Sequence, residues 1–350
     1  MKKLLFITPI FPKNINDDTI VPFIFQFCDF FNKKYPDIEI EIISLKYPFT
    51  NKPYIINNIN VHPIAGGFKN KVHNSFTILK AIIKGITLFR KNKYDGILSF
   101  WYSDTALIAT ILNKIFKTKH YTWMQGQDIK SENFYIKTFK PKTTNLIVVG
   151  KNHNELLFKY QNIKAATIAN VAVVPYNFPK INTSTRKIDI LGVGNLSKLK
   201  NFNLFIEIIH KLKETNEKIN VMICGDGEEM QILSDKIKYL DLENNITLTG
   251  YISNKKVRLL MNNCKLLLHT SNFEGNSLVI QEALYSGCKV ISRIPLKENI
   301  KNFYYEEEKD KIIKLVNDIF SEKKIKHERI RYFKIEDTSE IIYSCFFNDK

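Results

Sequence analysis

The sequence predicts an α/β protein of two domains, each built on a parallel sheet. Three observations point there. Short apolar runs alternate with amphipathic segments in two successive series. A length of 350 residues is enough for two hydrophobic cores. Between the series, Asn170 to Thr185 carries Pro175, Pro179 and the polar run Asn182-Thr183-Ser184-Thr185, the composition of a linker.

The opening residues, Met1 to Pro9, resemble a leader in charge and apolarity. Their apolar run is short, Pro9 and Pro12 interrupt it, and Lys13-Asn14 follow with no small-residue cleavage site. They are read instead as a first strand, Lys3–Thr8. Further strands are expected at Glu39–Leu45, Asp95–Phe100, His120–Met124 and Asn145–Val149. Helices are expected at Val21–Lys34, Ser75–Lys91, Asp104–Phe116 and Asn152–Tyr160. In the second of these, Phe76, Leu79, Ile82, Ile83, Ile86 and Phe89 read as a buried stripe, with Lys80, Lys84, Arg90, Lys91 and Lys93 outside it. The same pattern fits a helix lying in a membrane interface.

The second series has expected strands at Ile188–Val193, Asn220–Cys224, Ile246–Thr249, Leu266–His269 and Lys289–Ser292. Its expected helices are Phe202–Glu214, Glu228–Leu240, Lys255–Asn262 and Ser277–Ser286. A last helix is read from Glu336 to Phe347. The expected division is therefore a first domain at 1–170, a linker at 171–186, a second domain at 187–335 and a terminal helix at 336–350.

Composition narrows the function classes. No stretch approaches the roughly 20 apolar residues of a transmembrane helix. Cys28, Cys224, Cys264, Cys288 and Cys345 show no paired spacing, which fits buried thiols of a cytoplasmic protein and neither disulfides nor a zinc site. The net charge of +17 is uneven: residues 1–180 hold 25 Lys and Arg against 11 Asp and Glu (+14), and residues 181–350 hold 27 against 24 (+3). A basic front half suits an anionic partner such as a membrane surface, and a general drift towards Lys, Asn and Ile would give the same balance. Only six basic residues are Arg, whereas nucleic-acid surfaces lean on Arg, so nucleic acid is not expected as a partner.

The chemistry concentrates in Ser271-Asn272-Phe273-Glu274-Gly275-Asn276-Ser277-Leu278-Val279-Ile280-Gln281-Glu282-Ala283. Glu274 precedes a helix in a loop, and Glu282 lies on that helix at the margin of its apolar face. Gly275 permits a turn or a close ligand approach, and Asn276 or Ser277 supplies the cap. Carboxylates accept hydrogen bonds from hydroxyls, and a helix N-terminus offers free N–H groups to phosphates. The segment therefore suits a ligand carrying both.

Two glycine turns precede it. Gly192-Val193-Gly194-Asn195-Leu196-Ser197 follows a strand and partly matches a dinucleotide fingerprint. The acidic residue expected about 20 positions on is missing. The same loop would let Lys200 reach an anionic group. Cys224-Gly225-Asp226-Gly227 ends a second strand, and Thr249-Gly250-Tyr251-Ile252 ends a third and can flank a base.

In this order these pieces resemble the GT-B glycosyltransferases of family 4, the group 1 glycosyltransferases, from about Ile188 to Ser292. Glu274 to Glu282 resembles the family's Glu-x7-Glu motif, Gly194-Asn195-Leu196 with Lys200 its Gly-Arg-Leu-x-x-x-Lys segment, and Gly225-Asp226-Gly227 its Gly-x-Gly turn. In the first domain, Gln125-Gly126-Gln127-Asp128 resembles His-Gly-x-Asp. The resemblance implies two Rossmann-like domains facing across a cleft, with the terminal helix returning to the first domain. It implies retaining transfer from a nucleotide-diphosphate sugar to a glycan or lipid-linked acceptor, as in surface polysaccharide or lipopolysaccharide synthesis, with no cofactor and no obligatory metal. Glu274 and Lys200 would be catalytic, Glu274 holding the sugar and Lys200 the departing diphosphate. Gly194, Asn195, Gly225, Tyr251, Ile252, Gly275, Asn276, Ser277 and Leu278 would line the nucleotide-sugar site, and Glu282 would hold the ribose. Gln125 and Asp128 would face the acceptor. Asn195 and Gln125 depart from the family's Arg and His, and Asn14 to Asp18 replaces its first-strand Gly-Gly. A nucleotide-sugar epimerase of the same fold, or a non-catalytic nucleotide-sugar-binding protein, are the competing readings.

Overall fold

The computed structural model describes residues 2–17, 22–68, 71–296, 299–322 and 325–348; Asp18 and Val21 lie outside them. The chain divides into two compact units, Met1–Val171 with Lys334–Lys350, and Ala172–Phe333.

The first unit runs β1 (Lys2–Ile10), α1 (Pro22–Lys34), β2 (Ile38–Tyr47), β3 (Tyr54–Ile56), β4 (Ile59–Pro63), α2 (Lys71–Lys91), β5 (Gly96–Phe100), α3 (Asp104–Phe116), β6 (Lys119–Met124), α4 (Phe134–Phe139), β7 (Leu146–Val148), α5 (Lys151–Gln161) and β8 (Thr167–Ile168). Its sheet order is β3-β4-β2-β1-β5-β6-β7-β8, parallel except for the β3–β4 hairpin. β1 is central, and Leu4, Leu5, Phe6 and Ile7 are wholly buried, as a strand covered on both faces requires. Phe6, Phe27, Phe100 and Trp123 meet edge-to-face on one side of the sheet. The hairpin was not expected from the sequence. Its turn is Asn57-Asn58, both with positive φ, a conformation Asn tolerates.

The second unit runs β9 (Ile188–Val193), α6 (Phe202–Thr215), β10 (Val221–Cys224), α7 (Met230–Tyr239), β11 (Ile246–Leu248), α8 (Asn254–Asn262), β12 (Cys264–His269), α9 (Leu278–Tyr285), β13 (Lys289–Ser292), β14 (Phe303–Tyr305) and α10 (Lys309–Ser321). The order is β11-β10-β9-β12-β13-β14, parallel throughout. This is the doubly wound arrangement, and its direction reverses between β9 and β12. One core, with Phe205, Ile209 and Val316, covers one set of helices; the other, with Val257, Ile280 and Ala283, covers α8 and α9. β14 and α10 were not expected, although Ile312, Val316 and Ile319 are buried at helical spacing.

Arg186 lies just before β9 and is 1% exposed. It donates to Met261 O at 3.0 Å, Cys264 O at 2.7 Å, Ser286 O at 2.8 Å and Asn182 O at 3.1 Å. Its guanidinium thus serves carbonyls at the C-terminal ends of α8 and α9, where positive charge is favourable. The segment read as a linker is drawn onto this unit by Asn182, whose N–H donates to Asn262 Oδ1 at 3.0 Å.

The terminal helix, α11 (Ile335–Phe347), belongs to the first unit. Tyr343 stacks on Tyr35 with ring centroids 4.5 Å apart, and Lys119 Nζ donates to Phe346 O at 2.8 Å. The Phe346 ring lies over Gly96, where a Cβ would come within 2.2 Å of it. Only glycine admits the helix there.

α2 differs from expectation. Ile78, Ala81, Ile82, Ile86, Leu88 and Phe89 face the core, but Phe76, Leu79 and Ile83 do not. The apolar stripe of the helix is wider than the core it packs on, so only one side of it is covered.

Candidate functional site

The strand-end loops of the second unit bring the predicted residues together. After β9 the chain turns tightly, with Gly194 N donating to Cys224 O at 3.0 Å and Leu196 N to Asp226 O at 2.9 Å. After β10, Gly225 adopts φ +145°, and a Cβ there would stand 1.8 Å from Gly194 O. At Gly227 a Cβ would stand 2.4 Å from Leu196 O. The two turns approach closer than side chains allow, which accounts for both glycines. A third loop joins them as Gly225 N donates to Gly250 O at 3.1 Å.

A cavity of about 600 Å³ opens at these carboxyl ends. It is lined by Val193, Gly194, Asn195, Cys224, Gly225, Asp226, Gly227, Tyr251, Ile252 and Val257. The predicted Gly194, Asn195, Gly225, Tyr251 and Ile252 therefore share one pocket. Open α/β sheets bind ligands at this end.

Lys200 starts beside that pocket. Its stem passes Gly194, with Cδ and Cε 3.5 Å from where a Cβ would be. Its backbone is tied to the loop after β12, since Thr270 Oγ1 donates to Lys200 O at 3.0 Å and Asn272 N to Leu199 O at 2.9 Å. Its ammonium ends in direct contact with Glu274 Oε1. The loops that meet are those after β9 and β12, the two strands that flank the reversal of the sheet.

Glu274 has further company. His269 Nε2 lies 3.2 Å from Oε1, and Ser271 Oγ donates to the same oxygen at 3.2 Å. His269 is fixed from its other side by Ser292 Oγ at 3.1 Å. Burial pushes the Glu274 carboxyl up, but the His269 hydrogen bond and the Lys200 charge outweigh it and hold it at about 2. Glu274 is thus an anion and a hydrogen-bond acceptor at neutral pH. Arg293 braces the same loop, donating to Asn272 Oδ1 at 2.7 Å. Sequence reasoning missed the roles of His269, Ser271 and Arg293. His269 carried one signal, its place at the carboxyl end of a strand.

Ser277 stands at the N-cap of α9 without a side-chain capping bond, so it leaves the first-turn N–H groups around Leu278 to other partners. The Asn276 side chain accepts from Gln281 Nε2 at 2.8 Å. Gly275 is not among the glycines with positive φ. Glu282 is not at a margin: it is 3% exposed, and Arg258 Nη1 stands 3.8 Å from its Oε1. Burial pushes its carboxyl up, and the Arg258 charge opposes this only in part.

In the first unit, a cavity of about 570 Å³ lies at the ends of β1, β5 and β6. Pro9, Lys46, Phe68, Trp101, Tyr102, Asp128, Lys130, Phe134 and Tyr135 are among its lining residues. Asp128 is 7% exposed, and its carboxylate is engaged by backbone N–H groups: Tyr102 at 2.8 Å, Gly126 at 2.9 Å and Gln125 at 3.1 Å. It orders the loops that present Trp101, whose φ of +63° is uncommon for a bulky residue. The Gln125 side chain donates back to Trp123 O at 3.2 Å. Among the described residues, no group of three or more His, Cys, Asp and Glu could hold a metal ion, and no helix is long and apolar enough to cross a membrane.

Comparisons with known proteins follow the same division. A family model described as glycosyl transferases group 1 matches residues 173–332, and one described as glycosyl transferase 4-like matches residues 17–150. An uncharacterized glycosyltransferase of Methanocaldococcus jannaschii is 27% identical over 253 residues, 64% of this chain and 61% of that protein. The poly(ribitol-phosphate) alpha-N-acetylglucosaminyltransferase of Staphylococcus aureus is 27% identical over 204 residues, 54% of this chain and 40% of that protein. The chain thus spans less than two thirds of the length of these curated relatives. Among solved structures, a mutant of S. aureus TarM in complex with fondaparinux, alpha-GlcNAc-glycerol and UDP superposes with a TM-score of 0.69 at 14% identity, covering 99% of this chain and 100% of that one. That likeness shows the GT-B fold.

Proposed function

The chain belongs to the group 1 glycosyltransferases, and from that membership we propose that it moves a sugar from a nucleotide-diphosphate donor to a hydroxyl of a glycan or lipid-linked acceptor, with retention at the anomeric carbon. Surface polysaccharide synthesis is the setting we favour. The observation that carries this reading is the contact of Lys200 with Glu274 beside the cavity of the second unit.

In this reading the base lies against Tyr251 and Ile252, and the diphosphate lies near Gly194, Asn195 and the N-terminus of α9. Lys200 exchanges its partner, turning from Glu274 to the diphosphate as negative charge builds on the leaving group. Such preorganised charge lowers the barrier where charge develops. The three contacts of Glu274 converge on Oε1, so we assign Oε2 to a sugar hydroxyl. Held ionised, Glu274 is an acceptor and not a proton donor. Glu282 would take the ribose hydroxyls, a use for a carboxylate that burial alone disfavours. The acceptor would enter the first-unit cavity, with Trp101 as a face for a sugar ring and Asp128 holding its loop. No metal or cofactor is assigned a part.

The test is a thermal-shift screen of UDP-, GDP- and ADP-sugars on the wild type, Glu274→Ala and Lys200→Ala. The expected result is stabilisation of the wild type by one donor class, its loss in Glu274→Ala and a reduced shift in Lys200→Ala, whose main defect is in turnover. A wild type that binds no nucleotide sugar overturns the reading. Conversion of the bound donor to an epimer, without transfer, would make the protein an epimerase.

A further inference from the structure

The outer face of α2 is unlike that of a helix that only packs on its own sheet. Val72, Phe76, Leu79 and Ile83 are 68%, 59%, 54% and 56% exposed. Their spacing of four, three and four residues puts them in one file, within a wedge of roughly 60° at about 100° per residue. Scattered exposed apolar side chains are ordinary; an aligned file of them marks a surface that meets something. The adjoining face of the same helix is already occupied, packing on Ile43, Leu45, Ile97 and Leu112.

Charge says what the file meets. From Ile42 to Tyr94 the sequence has no Asp or Glu and nine Lys and Arg. On α2, Lys80, Lys84 and Lys91 fall along one flank of the file, and Arg90 continues it. Lys80, Arg90 and Lys91 are exposed. A second copy of the chain would bring this acid-free surface against itself, which repulsion opposes. An anionic bilayer supplies what both features lack: apolar depth for the file and phosphates for the flank. At 21 residues with Lys and Arg within it, α2 is suited to lie on a membrane and not to span one.

We propose that the outer face of α2 docks this protein on an anionic lipid bilayer, with Val72, Phe76, Leu79 and Ile83 entering the acyl boundary and Lys80, Lys84, Arg90 and Lys91 at the headgroup phosphates. The proposal is independent of the transfer chemistry, and its test reads binding and not activity. The full chain is floated with phosphatidylcholine vesicles, with and without phosphatidylglycerol, at low and high salt. The wild type binds the anionic vesicles at low salt. A Phe76→Ser, Leu79→Ser, Ile83→Ser variant loses binding by about tenfold or more, and a Lys80→Glu, Lys84→Glu, Lys91→Glu variant loses the salt-sensitive part. Circular dichroism checks that each variant stays folded; the substituted side chains lie outside the core, and the charge variant retains the test should the serine variant unfold. Absence of wild-type binding at low salt overturns the proposal, as does equal binding to vesicles without phosphatidylglycerol. A wild-type dimer that the serine substitutions convert to a monomer would reassign the file to contact between copies.

Discussion

The ammonium of Lys200 and the carboxylate of Glu274, 74 positions apart in sequence, are in direct contact. That contact joins the loops on the two sides of the point where the second sheet reverses direction. In the proposed reaction Lys200 serves the leaving diphosphate. Lys200→Ala should therefore lower kcat by about 10²–10³, with a smaller change in KM, in steady-state measurements of nucleoside diphosphate release. A variant with unchanged kcat would remove Lys200 from the chemistry. Lys200→Arg should restore little, since a planar fork does not replace a compact ammonium.

The Glu274 carboxyl also sets an acid limit. Its folded value of about 2 lies below the ordinary 4.5. The unfolded chain therefore takes up the proton first as pH falls, and the stability this group contributes is full above pH 4.5 and lost as pH falls towards 2. Glu274→Gln should show a shallower loss of stability than the wild type in urea melts from neutral pH down into that window. Parallel curves for the two proteins would contradict the placement of Glu274 against Lys200 and His269.

Glu282 carries the opposite sign. Burial raises its folded value, so the folded chain binds this proton more tightly than the unfolded one. Its contribution is present below the ordinary value of 4.5 and is lost as pH rises through the folded one. The stability difference between Glu282→Gln and the wild type should therefore move in the variant's favour as pH rises, while the proposed ribose contact is weakened. Urea melts at several pH values and donor titration read these two effects separately.

Gly225 tests the approach of the two turns. A methyl group 1.8 Å from Gly194 O, at a positive φ, cannot be accommodated without moving one loop. Gly225→Ala should cost about 2–4 kcal/mol of stability and abolish donor-induced thermal shift. Full retention of both would mean that the loops separate more easily than this packing allows.

Among the described residues, Arg186 donates to carbonyls and Cys288 Sγ and to no carboxylate. Arg186→Ala strands several buried carbonyls at once and should destabilise the second unit by about 3–5 kcal/mol. Arg186→Lys should recover only part of this, because three donors on one nitrogen cannot reach carbonyls that a fork spans. Differential scanning calorimetry with separate transitions for the two units would locate the loss.

Much of the fold was legible because its cues are local. The apolar run Leu4 to Ile7 marks a central strand, and the spacing of Val279, Ile280, Ala283 and Leu284 marks a helix packed on a sheet. The β3–β4 hairpin escaped because strands of three and five residues carry little periodicity, although Asn57-Asn58 is a turn signal. Phe76, Leu79 and Ile83 escaped for another reason: they adjoin the buried residues on the helix surface, and periodicity does not say how far round the helix the core reaches. At the site, Lys200 and Glu274 were each visible from their loops. Their contact was not, because strand order decides which loops are neighbours. His269 was hidden in an apolar strand, and the ionisation of Glu274 depends on it.

α11 is made after every residue of the second unit, yet it packs with the first. Domains emerging from a ribosome commonly fold in order, amino-terminal first. Here that order is broken: the earlier unit waits, with Gly96, Tyr35 and Lys119 uncovered, until the later one has been synthesised. The first unit cannot be completed until α11, which begins just after the second unit's last residue, has been added. A chain cut short and released before Ile335 would thus carry every residue of the second unit and a first unit left open at Gly96, Tyr35 and Lys119, a target for chaperones and proteases.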